Sequence, residues 1–427
     1  MDFLNSLAPF TKMFLGMLSI KVIVQNYLDL RQKKSLANNI KAVPSQFKDK
    51  ISLEEHQIAT KYNLEKIRFG KSVRTFRLII LLLWTLGGGL EYLSLISFNS
   101  GVNALNTIKF FAFFVLIETL LSIPVSLYSI FVIEEKYGFN KTTPKIYTQD
   151  LLKSIILTFA LALPLYLGII KLLEVTGEFW WFYSWAAFVF FQMLLVFIYP
   201  KFIAPMFNKF SENESQELRD KIQRLLKKVS FSAKEIYTMD ASKRSTHGNA
   251  YFTGFGKNKR IVFFDTILEQ MNSEEILAIL AHELGHFKKR HILKSIISSF
   301  FLMLGMFYLL SISLDNPAFL SAHGLQTNIS PASIILFSMI LPIYTFLISP
   351  IGNIISRKNE FEADEFACEH TSGDDLRSAL IKLYKFNNGA LCTDTFYSNF
   401  YDSHPPAMIR LKRISLNKNL NSASASD

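Results

Sequence analysis

Seven stretches of nearly unbroken apolar residues alternate with polar, charge-rich ones along the chain: Phe10–Leu28, Leu78–Phe98, Phe110–Ile133, Ile155–Leu173, Phe179–Tyr199, Ile292–Leu314 and Ile334–Ile355. An α-helix needs about 20 apolar residues to cross the hydrocarbon core, so the pattern predicts seven transmembrane helices. Lys12 and Lys21 interrupt the first stretch. It lacks a small-residue cleavage pattern and is followed by a basic loop, so it reads as an anchor and not as a removable signal. Glu91 and Glu118 fall inside apolar stretches. There an ionisable group is costly unless it faces protein or water, so each is expected either to line the interior or to pair locally near an interface.

The polar segments divide the chain into residues 1–199, holding spans one to five and the loop 29–77, then an insert 200–291, spans six and seven in 292–355, and a C-terminal segment 356–427. Loop 29–77 mixes both charge signs with helix formers and is expected to form amphipathic helix near the membrane surface. Segment 200–291 is long enough for a compact unit. It predicts a polar helix near Ser215–Val229 and strands at Glu235–Met239, Asn249–Phe255 and Arg260–Phe264. The Ser- and Asn-rich stretch Asn421–Asp427 is expected to be frayed.

Composition narrows the class. Half the residues are hydrophobic and 19% are charged, which excludes a disordered chain; the two cysteines, Cys368 and Cys392, exclude a disulfide scaffold or a thiolate zinc cluster. The formal charge of +11 could suggest nucleic acid, but its distribution points elsewhere. With seven crossings, segments 29–77, 134–150, 200–291 and 356–427 share one side and carry 40 Lys and Arg, while the segments on the other side carry none. That asymmetry follows the positive-inside rule and predicts that the insert and the C-terminal segment face the cytosol. The basic balance reflects topology, with no nucleic-acid partner implied.

The chemistry begins at Ser273-Glu-Glu-Ile-Leu-Ala-Ile-Leu-Ala-His-Glu-Leu-Gly-His286. Ser273 is a good helix cap, Glu274 and Glu275 suit a first turn, and Ile276, Leu277, Ile279 and Leu280 have helical spacing. On that helix His282 and His286 are one turn apart on one face, where two imidazoles can grip one zinc ion. Glu283 is one step around, placed to take a proton from an attacking water. Hydrolytic zinc sites need a third protein ligand. Just past the seventh span, Glu360 and Asp364 share a face at i and i+4. Glu360 can ligate while Asp364 accepts the other ring N–H of a ligating histidine. Glu362 and Glu365 read as a solvated acidic helix end. Counted from Ile355 and Ile292, Glu360 and His286 lie at roughly equal depth, about 8–9 Å beyond the membrane boundary at ~1.5 Å per residue.

Several motifs in order then carry a resemblance. They are Phe131-Val-Ile-Glu-Glu-Lys-Tyr-Gly-Phe-Asn140, Ile203-Ala-Pro-Met-Phe-Asn-Lys-Phe210, Gly248-Asn-Ala-Tyr-Phe-Thr-Gly-Phe255, His282-Glu-Leu-Gly-His286, Glu360-Phe-Glu-Ala-Asp364 and Ser403-His-Pro-Pro406. Over nearly its whole length the chain resembles the integral-membrane CaaX prenyl proteases, the zinc-dependent type I enzymes. The resemblance implies an all-α membrane protein whose seven transmembrane helices enclose a chamber, with a small α+β zinc-protease insert on the cytosolic side. It implies one Zn2+ held by His282, His286 and Glu360, Glu283 as general base, and Asp364 as support. His404 and Arg410 match positions that stabilise the oxyanion, and Asn249, Ala250 and Tyr251 match the edge strand that receives substrate backbone. Its implied partners are the bilayer and the C-terminal peptide of a prenylated protein, which loses its last three residues. The membrane would be the endoplasmic reticulum in a eukaryote and the plasma (inner) membrane in a bacterium.

Two other readings stay open on sequence alone. One is a zinc protease of membrane-protein quality control, acting on other membrane-associated polypeptides. The other is a seven-span transporter with a structural zinc site, in which Glu283 would have no task. Asn328-Ile-Ser330 is a glycosylation sequon on the expected outer side, followed by Pro331.

Overall fold

The computed structural model describes residues 7–212, 215–231, 235–253 and 260–424. Five helices are long and apolar enough to cross a membrane singly: Pro9–Asn39, Ala104–Glu134, Pro144–Val175, Gly177–Phe207 and His291–Leu314. Two bent pairs, Leu53–Trp84 with Gly89–Ser97 at 49° and Ser330–Tyr344 with Phe346–His370 at 47°, bring the number to seven when each is counted as one span. The second and seventh expected spans are therefore broken rather than continuous. In the first pair the helix stops at Thr85, and Gly88 takes a left-handed φ of 74° that glycine adopts without strain. In the second, Pro342 lies inside one helix and Pro350 in the first turn of the next, and each removes a backbone donor.

Two single spans carry π turns near one end, at Ser129–Glu134 and Tyr199–Ile203, which lead into the first two of the resemblance motifs. Such turns insert a residue into the helical ladder and commonly mark functional sites. Loop 29–77 forms no separate surface helix. The first span runs on to Asn39, and the second begins at Leu53 under a capping box in which the Ser52 hydroxyl accepts from the Glu55 N–H and Glu55 accepts from the Ser52 N–H.

The polar unit contains a four-stranded sheet. Its strands are β1 (Phe210–Glu212), β2 (Glu235–Met239), β3 (Ala250–Thr253) and β4 (Arg260–Phe264), in the order β1-β2-β4-β3. β3 pairs antiparallel with β4, Ala250 opposite Phe263, and is an edge strand. The expected strand Asn249–Phe255 thus starts at Ala250, and its residues Gly254 and Phe255 lie outside the described residues. β1 was not expected; it pairs antiparallel with β2. The polar helix is Gln216–Lys228, capped by Ser215.

Segment 200–291 does not make its core alone. Leu218, Ile222, Ile261, Phe263, Leu280 and Leu284 pack in one cluster with Phe47 and Ile51 from between the first two spans, and with Leu376, Leu380, Leu411 and Ile414 from the C-terminal segment. Helix Ala407–Ser424 continues through four residues of the stretch expected to fray; residues 425–427 lie outside the described ones.

Two contacts hold the helix Ser273–Lys288 in place. Its buried Glu275 accepts from Lys382 Nζ at 2.6 Å and Ser378 Oγ at 2.7 Å, both on helix Gly373–Phe386. Against helix Ser349–His370 the two backbones nearly touch. A Cβ on Gly285 would lie 2.9 Å from Ala363 Cα, closer than carbon atoms pack.

Two predictions follow from these contacts. Gly285→Val should force the helices apart, costing roughly 1–3 kcal/mol by overpacking and lowering both Tm and metal content in detergent-purified protein. Lys382→Met should cost about 1–3 kcal/mol, because it leaves a buried carboxylate short of a donor. Burial raises the Glu275 pKa, but the Lys382 and Ser378 hydrogen bonds outweigh it and the net shift is downward. The stabilisation is therefore full above the ordinary glutamate range and fades as pH falls through the lowered value. Below about pH 4.5 the Tm gap between wild type and Lys382→Met should narrow; a gap independent of pH would show that this pair is not its source.

Candidate metal centre

The helix that carries HELGH starts one residue earlier than its sequence suggests. Asn272, not Ser273, is the cap: its Oδ1 accepts from the Glu275 N–H, and Glu275 accepts from the Asn272 N–H, both at 2.9 Å. Ile276, Leu277, Ile279 and Leu280 are buried, which turns His282 and His286 toward helix Ser349–His370. The two Nε2 atoms lie 3.3 Å apart. Glu360 meets them with Oε2 at 3.5 Å from His282 Nε2 and Oε1 at 3.2 Å from His286 Nε2. Equal depth on two helices, inferred from counting residues, is realised as contact.

Each histidine is oriented from behind. His282 Nδ1–H donates to Asp364 Oδ1 at 2.9 Å, leaving the Nε2 lone pair facing Glu360 and His286. Asp364 is in turn gripped by Arg410, whose Nε and Nη2 donate to its two oxygens at 2.9 and 2.6 Å. Behind His286 stands His291, buried, with the two Nδ1 atoms 3.2 Å apart. His291 Nε2–H donates to Glu362 Oε2 at 3.1 Å, so its Nδ1 accepts from His286 Nδ1–H, and the His286 Nε2 lone pair faces the site. Glu362, still partly exposed as expected of an acidic helix end, thus also supports His291. Glu365 pairs with Arg413 at 2.6 Å.

The donor set fits a cation. His282, His286 and Glu360 each offer an atom within 4.8 Å of the others. Glu360 is 3% exposed, and its buried Oε2 lacks a hydrogen-bond partner, a costly arrangement that a bound metal ion would relieve. Burial disfavours a charged His282, yet the neighbouring carboxylates of Asp364 and Glu360 prevail and hold its pKa up at about 9. Surroundings that stabilise a proton so strongly also stabilise a divalent cation in its place.

A small cleft of about 150 Å³ opens beside these groups, lined by Glu283, His282, Asn249, Ala250, His404 and Arg410 among others. Burial raises the Glu283 pKa above the ordinary range, as a group that must take up a proton requires. His404 has a largely exposed side chain, with Nε2 3.3 Å from Glu360 Oε1. Arg410 is buried; besides gripping Asp364 it places Nη1 3.4 Å from Glu360 Oε2. Asn249 Oδ1 accepts from the Ala250 N–H, which leaves the Nδ2 hydrogens as what the side chain can offer a ligand. Tyr251 is not on this cleft; it lines a separate cavity with Tyr199 and Phe202.

A latch holds the edge strand in register. Asn387 Oδ1 accepts from the Gly248 N–H at 3.1 Å and lies 3.2 Å from His247 Nδ1. His247 Nε2 donates to Glu134 at 3.3 Å, and its ring stacks on Phe139 at 4.1 Å. The motif around Glu134 thus fastens the chain just before Asn249. Sequence reading left His247, Glu134, Asn387 and His291 without a task, since these partners are far apart in sequence or separated by a tight turn. Of the two carboxylates inside spans, Glu91 accepts from Gln326 and Thr327 in a distant loop, the local pairing. Glu118 binds Arg77 and Trp84 and lines a cavity between helices.

Known proteins resemble this chain in sequence and in fold. Residues 32–209 match the family described as CAAX prenyl protease N-terminal, five membrane helices, and residues 212–417 match peptidase family M48. The CAAX prenyl protease 1 homolog of Arabidopsis thaliana is 34% identical, covering 95% of this chain and 97% of the relative; that of Homo sapiens is 31% identical, covering 91% and 92%. The crystal structure of S. mikatae Ste24p superposes with a TM-score of 0.87 at 30% identity, over 95% of this chain and 99% of that one. Identity over nearly full length, with one fold, makes the chain a member of the CaaX prenyl protease 1 family, multi-pass membrane metalloendopeptidases of the M48 class.

Proposed function

We propose that this membrane metalloendopeptidase uses one zinc ion, held by His282, His286 and Glu360, to remove the C-terminal tripeptide from prenylated CaaX proteins. The observation that carries the reading is the convergence of those three side chains next to a cleft that His282 and Glu283 line together with Ala250 of the edge strand. The 40-to-none distribution of Lys and Arg supports a cytosolic site. On this reading the insert 200–291 and the segment 356–427 act as one catalytic unit, because they share a core. The relatives' names give the substrate class, and the endoplasmic reticulum is the membrane in question for a eukaryotic host.

When bound, zinc supplies Lewis acidity, polarising a peptide carbonyl and making water easier to deprotonate. The protein supplies the rest. Substrate backbone adds to the open edge of β3, gaining main-chain hydrogen bonds with no fixed sequence. Asn249 Nδ2 donates to a substrate carbonyl and fixes its register. Glu283 takes the proton of the attacking water and returns it to the leaving amine, both within the cleft it lines. His404 donates to the carbonyl oxygen as negative charge develops. Arg410 lends positive charge there while holding Asp364, and Asp364 holds His282.

Glu283→Gln should keep its zinc and fold but lose about 10²–10⁴-fold in turnover of a farnesylated CaaX peptide. Zinc analysis and peptide cleavage measured side by side on purified protein decide this. Wild type that cuts an unprenylated peptide equally well would overturn the CaaX reading and favour broader proteolysis. A Glu283→Gln protein of unchanged activity would remove Glu283 from the mechanism. Asp364→Asn should weaken zinc binding about 10–100-fold, measured by chelator competition, because it loosens His282.

A further inference from the structure

Away from the metal centre, a cavity of about 450 Å³ opens between four helices: Pro9–Asn39, Leu53–Trp84, Ala104–Tyr128 and Ser330–Tyr344. Its lining is divided in chemistry. Lys71, Arg74 and Arg77 stand at three-residue spacing on one helix, just before that helix becomes apolar at Leu78, and Lys21 faces them from the first span. Gln25, Asn26 and Thr75 also line it, and the rest of the wall is apolar, with Leu18, Ile80, Leu81, Phe114 and Ile343 among its residues. Four cations line the space against a single carboxylate, Glu118. Arg77 is matched by Glu118 at 3.0 Å and Arg74 by Asp29. Among the described residues Lys21 and Lys71 have no carboxylate within ion-pair distance; Lys21 Nζ is 3.5 Å from the Pro342 carbonyl oxygen.

We propose that this cavity binds an anionic phospholipid, with its phosphate between Lys21, Lys71 and Arg77 and an acyl chain along the apolar wall. A neutral lipid has no use for cations in excess of carboxylates, and a free phosphate has none for the apolar wall. The cations also stand at the depth where the helix Leu53–Trp84 leaves polar sequence for apolar, which is the level of lipid phosphates. An ionisable residue such as Lys21 within a span is costly and persists where a partner of opposite charge reaches it. The inference does not depend on the proteolytic reading, and its test involves no turnover.

The structure supplies a reporter. Trp84 donates its indole N–H to Glu118 at 2.7 Å, so it adjoins the cavity. In protein with Trp180, Trp181 and Trp185 changed to Phe, Trp84 is the remaining tryptophan. This protein is placed in nanodiscs of phosphatidylcholine with a minor fraction of phosphatidylglycerol, bromine being carried on one lipid or the other. Bromine on phosphatidylglycerol should quench Trp84 beyond its mole fraction, and each of Lys21→Met and Lys71→Gln should reduce that preference about fivefold. Quenching in proportion to mole fraction, or a preference untouched by both substitutions, overturns the proposal. Displacement of the brominated lipid by soluble glycerol phosphate would show that phosphate alone is read, and displacement by farnesylated peptide at matching concentration would assign the cavity to substrate; either result overturns it too. If the triple Trp variant fails to fold, native mass spectrometry of wild type and Lys71→Gln decides, wild type alone being expected to retain phosphatidylglycerol.

Discussion

The crossing of two helices at Gly285 and Ala363 is the constraint on which the site depends. His282 and His286 belong to one helix, Glu360 and Asp364 to the other, and their polar atoms meet within about 3.5 Å only because the backbones nearly touch between them. The residue between Leu284 and His286 therefore has a packing task, while its neighbours have chemical ones. Helix position, in turn, is fixed at the other end by buried Glu275, so both histidines are held by geometry set about two to three turns away.

Around this crossing the charges are arranged in depth. Glu360 faces both histidines, Asp364 stands behind His282, and Glu362 stands behind His291, which backs His286. Arg410 balances two of these carboxylates at once. A buried cluster of this kind is stable only if each acid has a counterpart, and Glu360 Oε2, though 3.4 Å from Arg410 Nη1, accepts no hydrogen bond. The arrangement orients both imidazoles before any ion arrives, which reduces the reorganisation that binding would otherwise require.

Much of this was legible in the sequence, for identifiable reasons. Span positions follow from apolar runs, and the pairing of His282, His286, Glu360 and Asp364 follows from a one-turn spacing on two helices whose depth is set by the membrane. What was missed lacks a local signal. Glu362 is two residues from Glu360, roughly 200° around the helix, so it reads as facing away; a third helix lies on that side. His291 comes back to His286 because Arg290 takes a left-handed φ of 59°, and arginine gives no warning of such a turn. The breaks at Thr85–Gly88 and Thr345 preserve hydropathy and so leave the apolar pattern unchanged. The shared core was hidden because its pieces lie on opposite sides of several spans in the sequence.

That shared core makes the enzyme a reader of its own topology. Phe47, Leu280 and Leu411 reach one cluster from segments separated by membrane crossings. They can meet only if every intervening helix has been threaded in the correct direction. A chain with its sixth or seventh span inverted leaves Leu376, Leu380, Leu411 and Ile414 on the wrong face of the bilayer, unable to join the cluster. Copies with a single late span misthreaded would therefore be inert, their proteolytic unit never assembled.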